Sequence, residues 1–361
     1  MATTHKTKSP RRPRARTLAE RQKLAPLRQK IDLPMMRNSE RQTFKSCRFQ
    51  WWLSYLEKKQ PIASGTALRF GSLVHMALAD YYIPGKRRGL HPAKAFERHY
   101  TDELKYATKL GWKDDDGKWQ DAGELGDAML THYVDHYGAD DKWEVLVTEQ
   151  PFQSVVLNPT TGEPWFMYVG VLDGVWRDRT AADNALWIPD HKTAAGIGPE
   201  TTKHLVLDDQ ASGYWSFGVD WILEQGLLKS DEKLRGMLYN FLRKAPPDDR
   251  PQNEAGEYLN KDGTVSKIQP SPFFLRQPIF RDAIDKDAAR ERAMEDWAEM
   301  EMVENGVLKV KKTPGRFTCG MGCPFLDTCE LHEMGGDWQT MLKATTRPWD
   351  PYDAHEIYFG R

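Results

Sequence analysis

The first helical pattern of hydrophobic positions begins near Ser39. The four residues SERQ at 39–42 match a capping box, with Gln42 at the third helical position, and predict a helix start. The apolar residues that follow recur at helical spacing and are Phe44, Cys47, Trp51, Trp52 and Tyr55. A second helix is predicted from about Ala67 to Tyr82, because apolar side chains share one face there.

The segment from 83 to 142 is polar and punctuated by glycine. Helical patterns recur within it at about 93–110 and 123–137. We interpret this segment as a helical insertion or lid within a larger domain.

The pattern changes at residues 143–193, where β-branched and aromatic residues dominate. The turn-like segments NPTTGEP and RTAADN interrupt this region and predict an antiparallel meander. A helix from about Asp208 to Gln225, ended by Gly226, is predicted next. A strand GMLYNFLRKA, a loop, a strand PFFLRQPIF and a helix at about 281–303 complete the pattern. This order predicts an α/β fold with a mixed central sheet flanked by helices.

Composition sets limits on the class of protein. The chain has 361 residues, of which 40% are hydrophobic and 29% charged, as in globular proteins rather than disordered ones. Mean hydropathy is -0.68, and no apolar run reaches about 18 residues, so we expect no membrane partner. The N-terminal residues lack the apolar core of a secretory signal. We therefore expect a cytoplasmic protein.

The formal net charge of -1 hides an asymmetry. Residues 1–30 carry ten basic side chains and one acidic side chain, a surplus of nine, so the rest of the chain has a net charge of -10. We interpret residues 1–36 as a basic, disordered arm. It either binds phosphate groups or serves only to keep the protein soluble.

Two acidic residues and a lysine lie on neighbouring predicted strands. Asp173 ends the segment YVGVLD, and Asp190 and Lys192 lie in WIPDHKT. A hairpin would bring both carboxylates to one end of the sheet, with Asp190 and Lys192 on the same face. Such a group suits a hard divalent cation and an activated water. A surface ion pair is the alternative, but the apolar run before Asp190 predicts a buried strand, where an unpaired charge is costly.

Four short motifs follow one another in an order typical of a nuclease family. They are GSLVH at 71–75, GVLD at 170–173, DHKT at 190–193 and QASGY at 210–214. Together they resemble the PD-(D/E)XK nuclease superfamily, and specifically its RecB-like branch, over about residues 37–335. The resemblance implies a restriction-endonuclease-like α/β core that hydrolyses phosphodiester bonds with Mg²⁺ or Mn²⁺.

The resemblance also implies a role for each motif residue. His75, Asp173 and Asp190 would bind the metal, with the backbone carbonyl of His191 as a further ligand. Lys192 would be the catalytic lysine. Taken alone, a histidine on an apolar helix face is more often a packing residue, and only the other motifs favour His75 as a ligand.

Four further residues are candidates for this site, the first two of them by the same resemblance. Gln210 and Tyr214 are one helical turn apart and would lie near the DNA and the catalytic residues. Glu149, on the strand before the hairpin, is a weaker candidate for a second metal or a supporting contact. Gly71 would permit close approach of the His75 helix to the sheet.

The four cysteines are Cys47 and a C-x3-C-x5-C trio formed by Cys319, Cys323 and Cys329. In an intracellular protein, close thiols favour a metal over disulfides. Four thiolates hold zinc or an iron–sulfur cluster, and buried free thiols are a third interpretation. The arrangement resembles iron–sulfur RecB-like nucleases, including CRISPR-associated and phage exonucleases, in which a 4Fe–4S cluster joins the two ends of the nuclease fold. The family trio more often begins C-x2-C, whereas three residues intervene here.

Several basic and aromatic residues are candidate DNA contacts. The basic ones are Arg41, Lys45, Arg48, Lys86, Arg87, Arg88, Arg243, Lys244, Arg276 and Arg281. The aromatic ones are Trp51, Trp52, Trp215 and Trp221, which either stack on single-stranded bases or form part of the core.

These observations lead us to predict a metal-dependent DNA nuclease, and the resemblance implies that it is an exonuclease. It would act on single-stranded or end-containing DNA in recombination, repair or end processing, with a helicase or recombination protein as partner. The alternatives are a catalytically weak DNA-binding module and an RNA-directed nuclease. The predicted organisation is an arm (1–36), a nuclease domain (37–345) with the insertion (83–142) and a cysteine region (315–335), and a tail (346–361).

Overall fold

The computed structural model describes residues 33–62, 66–109, 117–316, 318–320 and 322–352. Almost all of the predicted basic arm and most of the predicted tail lie outside these ranges.

A mixed sheet forms the centre of the described chain. The strands, including two short ones outside the central sheet, are β1 Met35–Met36, β2 Lys59–Pro61, β3 Trp143–Leu157, β4 Pro164–Asp178, β5 Leu186–Ala194, β6 Leu234–Arg243, β7 Phe274–Phe280 and β8 Thr346–Pro348. The central order is β1-β4-β5-β6-β7, with β3 paired along the other edge of β4. The β3–β4, β4–β5 and β6–β7 pairs are antiparallel, and the β1–β4 and β5–β6 pairs are parallel. The predicted meander and mixed sheet are confirmed.

Helices cover both faces of this sheet. They are α1 Asn38–Ser46, α2 Arg48–Trp51, α3 Thr66–Tyr81, α4 Pro92–Lys109, α5 Lys118–Tyr137, α6 Pro199–Thr202, α7 Asp209–Gly213, α8 Val219–Glu224, α9 Ala283–Glu304, α10 Leu326–Glu333 and α11 Trp338–Thr345. Two π-helical turns, Trp52–Leu56 and Tyr214–Gly218, extend α2 and join α7 to α8. Among the described residues, none of these helices combines the length and apolar character needed to cross a bilayer.

Two hydrophobic cores lie on opposite faces of the sheet. In one, Trp297 of α9 stacks on Phe166 of β4 at 4.8 Å between ring centroids. In the other, α3, α4 and α5 pack over β3 and β4, with Trp176 fully buried. The helices of segment 83–142 therefore contribute directly to the core that supports the sheet.

The first predicted helix differs from expectation at both ends. Helix α1 begins at Asn38 rather than after Ser39, and no side chain caps it. Because β1 pairs with β4 as far as Met36, only Arg37 is left to turn the chain, and Ser39 falls inside the first helical turn. The helix is also interrupted at Cys47, whose backbone is extended, so the predicted capping box and continuous helix are wrong.

The helix that carries the predicted Gln–Tyr motif begins and ends as expected. The side chain of Asp208 caps it by accepting a 2.9 Å hydrogen bond from the backbone N–H of Ala211. Gly226 follows the last turn with a φ of 66°, a conformation that favours glycine.

The two ends of the described chain lie together. Strand β2 pairs antiparallel with β8. The guanidinium of Arg37 lies over the rings of Tyr55, Trp349 and Tyr352 at 5.5 to 5.8 Å. Buried Glu40 accepts hydrogen bonds from Trp51 and Tyr352. These contacts fix α1 and α2, and thus Cys47, against the C-terminal region.

Candidate active site

A gap between β4 and β5 creates the centre of the site. The two strands pair only at Trp176–Trp187 and Arg177–Leu186 and separate beyond these pairs. Asp173 lies in the open part of β4, and its Oδ2 accepts a 2.6 Å hydrogen bond from the backbone N–H of His191. The carboxylate of Asp173 therefore takes the place of a backbone acceptor in the strand ladder at this point. Asp173 is 7% exposed.

Three side chains from three elements converge beside this gap. His75 Nδ1 of α3 lies 3.4 Å from Oδ1 of Asp173 and 3.6 Å from Oε1 of Glu149 on β3. The ligand atoms of these three residues all lie within 4.8 Å of one another, the only such group among the described residues. Two carboxylates and one imidazole are a donor set that suits a divalent cation. The sequence analysis had given Glu149 only a minor role.

Glu149 has an unusual backbone. Its φ is 40°, in the left-handed region, although it lies within a strand and is not glycine. Such a conformation costs about 1–3 kcal/mol and is frequent at functional sites. The strain coincides with the residue that brings the second carboxylate to His75.

The charges within this group are strongly coupled. Burial by itself raises the pKa of Asp173, but attraction to His75, and then to His191 and Lys192, holds that pKa well below its usual range. Burial by itself lowers the pKa of His75, but Asp173 and Glu149 raise it well above its usual value. Burial raises the pKa of Glu149, and His75 opposes that shift. The two carboxylates therefore favour a proton on His75.

The predicted aspartate–lysine pair lies on β5 with both side chains on one face. Lys192 Nζ is 3.1 Å from Oδ1 and 2.8 Å from Oδ2 of Asp190, and the latter contact is an ion pair without hydrogen-bond alignment. Burial raises the pKa of Asp190 to about 6; Lys192 opposes this shift, and Asp173 adds to it. Asp190 therefore lies next to Asp173, but its carboxylate is engaged by Lys192 and is not part of the compact group around His75.

The lysine also contacts the predicted Gln–Tyr motif. Nζ of Lys192 donates a 2.8 Å hydrogen bond to Oε1 of Gln210. Nε2 of Gln210 in turn donates to the hydroxyl of Tyr214 at 3.2 Å. One chain of contacts thus runs from Asp190 through Lys192 and Gln210 to Tyr214. It joins the DHKT and QASGY motifs through Lys192 and Gln210, which are 18 residues apart in sequence.

A profile of the PD-(D/E)XK nuclease superfamily matches residues 38–330. The chain belongs to this superfamily. The match includes all four motif segments, the trio of cysteines and the strands β3 to β7 that carry the site. No curated protein sequence matches the chain. Asp173, Asp190 and Lys192, which the sequence resemblance predicts as motif residues, all lie within the matched segment.

The side chain of His191 lies beside this compact group, with its ring 5.8 Å from the His75 ring between centroids. Its Nδ1 lies 2.9 Å from Nδ2 of Asn240 on β6, and burial lowers its pKa to about 3. His191 also contacts the site through its backbone N–H, which donates a hydrogen bond to Asp173. Asn240 was missed in the sequence analysis, although a lone amide within the apolar strand MLYNFL is a signal of a buried polar contact.

A second feature, the cysteine cavity, is lined by residues 47, 49 and 50 and by residues of the segments 312–316, 318–320 and 323–333. It has a volume of about 760 Å³, and all four cysteines line it. Burial raises the pKa of Cys323 and of Cys329, and repulsion from neighbouring cysteine thiolates raises it further. Phe49 and Phe325 pack at its base, and the sequence-distant Cys47 is brought to the trio as predicted.

Several predicted DNA contacts are wrong because the side chains are buried and paired. Arg41 is 1% exposed and binds Asp296 at 2.6 Å. Arg281 donates to the backbone carbonyls of residues 205 and 206, and Arg276 binds Asp140. Lys86 and Arg87 are exposed and stay candidates.

The predicted base-stacking tryptophans are mostly core residues. Trp51, Trp215 and Trp221 are 2%, 6% and 9% exposed. Trp52 is partly buried and packs near Trp338, at 6.0 Å between ring centroids. Their helical spacing therefore reflects packing, the second of the two interpretations.

Proposed function

We propose that this chain is a metal-dependent DNA nuclease that acts as an exonuclease on single-stranded or end-containing DNA. The observation that carries the proposal is the convergence of His75, Glu149 and Asp173 beside the Asp190–Lys192 pair. DNA recombination, repair or end processing is the setting that we infer for such an activity, with a helicase or recombination protein as partner.

The residues present fit Mg²⁺ or Mn²⁺. Carboxylate oxygens are the preferred ligands of both ions, and Mg²⁺ usually keeps several waters beside one or two carboxylates. His75, Asp173 and Glu149 would hold the ion. Asp190 lies next to Asp173, and one of its carboxylate oxygens would be a further ligand. When bound, the ion supplies Lewis acidity toward a phosphoryl oxygen and lowers the pKa of a water ligand.

The other side chains orient the reacting groups. Lys192 is held between Asp190 and Gln210 at 2.8 Å from each, so its ammonium is fixed and remains protonated. In that place it orients the attacking water or stabilises the negative charge that develops on the phosphate. Gln210 and Tyr214 keep the ammonium in position from the opposite side.

A 4Fe–4S cluster is the group that we propose for the cysteine cavity. Thiolates around a single zinc ion lie roughly 3.8 Å apart, because the Zn–S bond is about 2.3 Å. Among the described residues, no three of the cysteine sulfurs form a group with all atoms within 4.8 Å of one another. A cluster binds each thiolate at a different iron, so it suits this wider spread and the cavity of about 760 Å³.

The cluster would have a structural role. Cys47 lies where α1 ends, and the trio lies near the C-terminal end of the fold. Lys312 donates to the carbonyl of Cys329 at 3.1 Å, so a positive charge stands beside the thiolates. A cluster that joins segments far apart in sequence reduces the number of conformations open to the unfolded chain, and this stabilises the fold.

A substrate panel tests the proposed activity. The purified chain is incubated with Mg²⁺, Mn²⁺ or EDTA and with linear or circular DNA, single- or double-stranded, and with RNA of the same sequence. We expect metal-dependent loss of linear DNA and survival of circular DNA and RNA. Degradation of circles would make it an endonuclease, preference for RNA would make it a ribonuclease, and binding without cleavage would make it a DNA-binding module.

A further inference from the structure

Arg276, on the edge strand β7, is the centre of a buried polar network. Its guanidinium binds Asp140 through two hydrogen bonds, from Nη1 to Oδ1 at 2.8 Å and from Nη2 to Oδ2 at 2.6 Å. The arginine and aspartate side chains are 12% and 6% exposed. Such two-pronged pairs fix orientation as well as charge.

The same guanidinium reaches two tyrosines from different helices. Nη2 donates to the hydroxyls of Tyr82 and Tyr133, each at 2.9 Å. Tyr82 directly follows α3, the helix that carries His75, and Tyr133 lies on α5. The ring of Tyr137 lies 3.8 Å from the guanidinium carbon. Arg276 therefore ties α3, α5 and β7 together.

The network fixes the direction of the hydrogen bond to His191. Arginine has no acceptor atom, so the atom of Asn240 that faces Nε of Arg276, at 3.4 Å, must be Oδ1. Nδ2 of Asn240 then faces the Tyr133 hydroxyl at 3.0 Å and Nδ1 of His191 at 2.9 Å. Since Nδ2 is a donor, Nδ1 of His191 must accept, and the ring proton lies on Nε2.

The His191 ring is also held by its neighbours. Tyr82 stacks on it at 6.1 Å between centroids, and Trp176 lies at 5.8 Å. A fixed ring fixes the strand backbone that carries it. The N–H of that residue holds Oδ2 of Asp173, and the other carboxylate oxygen, Oδ1, is the one that faces His75.

We propose that Arg276 and Asn240 are positioning residues for the metal site, acting through His191 on the orientation of Asp173. The Arg276–Asn240–His191 contacts run from β7 through β6 to β5 on the side of the site away from Lys192. This inference rests on the proposed function only in that it takes the His75 group to be a cation site.

The first test reads the ring proton directly. Full-length chain with ¹⁵N-labelled histidine is compared with Asn240→Asp, which keeps the shape of the side chain but replaces the donor by an acceptor. We expect the His191 signal, identified by its loss in His191→Gln, to report a proton on Nε2 in the parent chain and on Nδ1 in Asn240→Asp. A proton that stays on Nε2 in the variant overturns the proposal.

The second test reads the metal site without activity. Mn²⁺ affinity is measured calorimetrically for the parent chain, Asn240→Asp, Arg276→Lys and the control Arg290→Lys. Arg290 pairs with Asp220 with a similar burial, 13% and 2% exposed, and lies on the opposite face of the sheet with α8 and α9. We expect the first two variants to weaken Mn²⁺ binding about tenfold and the control to leave it unchanged.

The outcomes separate the two proposals. Equal losses in Arg276→Lys and Arg290→Lys would mean that Arg276 matters only for general stability, and the positioning role would be wrong. A parent chain that binds no Mn²⁺ contradicts the proposed metal site, and the ring-proton experiment then decides alone whether the network holds His191. If Arg276→Lys does not fold, Asn240→Asp carries both readouts.

Discussion

The backbone N–H of His191 donates a 2.6 Å hydrogen bond to Oδ2 of Asp173 across the gap between β4 and β5. The buried carboxylate stays charged chiefly because His75 attracts it, and the N–H of His191 fixes its orientation. This contact also assigns different tasks to the two oxygens of Asp173, since Oδ2 is anchored and Oδ1 faces His75.

Asp173→Asn tests the charge of this carboxylate. The amide oxygen can still accept the hydrogen bond from His191, so the fold is preserved, but the negative charge beside His75 is lost. We expect Mn²⁺ affinity to fall at least tenfold and the pKa of His75 to drop. Calorimetry and NMR titration measure these two quantities.

A matched control is Asp178→Asn on the same strand. Asp178 is also buried, at 8% exposed, but it binds the turn residues Thr180 and Ala181. It should alter thermal stability and leave Mn²⁺ binding unchanged. Equal Mn²⁺ losses in both variants would speak against Asp173 as a ligand.

Two motif glycines should respond differently to alanine. A Cβ at Gly170 would lie 2.6 Å from the ring of Phe152 and 3.0 Å from that of Tyr214, whereas one at Gly71 would lie 3.7 Å from Oγ1 of Thr193. Gly170→Ala should cost about 1–3 kcal/mol by overpacking and disturb Tyr214. Gly71→Ala should be tolerated, because the contact is an ordinary one and alanine favours helix.

Urea unfolding of both variants checks this prediction. The structure also corrects the expectation that Gly71 permits a close approach of helix α3 to the sheet. The distance of 3.7 Å from a Cβ at Gly71 to Oγ1 of Thr193 leaves room for a methyl group. Comparable destabilisation by the two substitutions would show that the motif glycines act through something other than packing space.

Glu40 should make stability depend on pH. Burial raises the pKa of this carboxyl from 4.5 to about 7, although hydrogen bonds from Tyr352 and Trp51 oppose the shift. The folded chain therefore binds more protons than the unfolded chain between these values, so stability falls as pH rises from 4.5 to 7. The loss is about 3 kcal/mol at most.

Glu40→Gln removes this titration and keeps the shape of the side chain. We expect it to raise the free energy of unfolding at pH 8 and to have little effect at pH 4.5. Denaturant unfolding at both pH values measures the difference, with exposed Glu97→Gln as the control. The same effect of Glu40→Gln at both pH values would contradict the prediction.

The cysteine cavity gives a prediction about colour and stability. An anaerobic preparation should be brown, with a broad absorbance at roughly 400 nm. Cys47→Ser should lose this absorbance and lower the Tm by about 5–10 °C, because Cys47 joins α1 to the trio. A colourless protein with stoichiometric zinc, or a Cys47→Ser variant that stays brown, would contradict the cluster.

The local patterns of the sequence predicted much of the fold and the membership of the site. Runs of β-branched and aromatic residues between turn-like segments predicted β4 and β5, and the two-residue spacing placed Asp190 and Lys192 on one face. Their contact with Gln210 followed from motif order by resemblance, since no local pattern brings residues 192 and 210 together.

The parts that sequence reasoning missed depend on long-range packing. Arg276 reads as a free cation on an edge strand, and only the tertiary structure places Asp140 from another segment against it. The left-handed backbone of Glu149 likewise has no signature in the residue type. The break at Cys47 lies within a helical pattern of apolar residues that gives no sign of it.

Lys192→Ala provides the most direct test of the central claim, that Lys192 serves a metal-dependent DNA nuclease site. Initial rates of release from end-labelled linear DNA with Mg²⁺ are compared for the parent chain, Lys192→Ala and the exposed control Lys203→Ala, whose ammonium pairs only with neighbouring Glu200 in the contacts described. We predict a loss of at least about 100-fold for Lys192→Ala, with the fold retained, and no change for Lys203→Ala. Undiminished cleavage by Lys192→Ala would contradict the account.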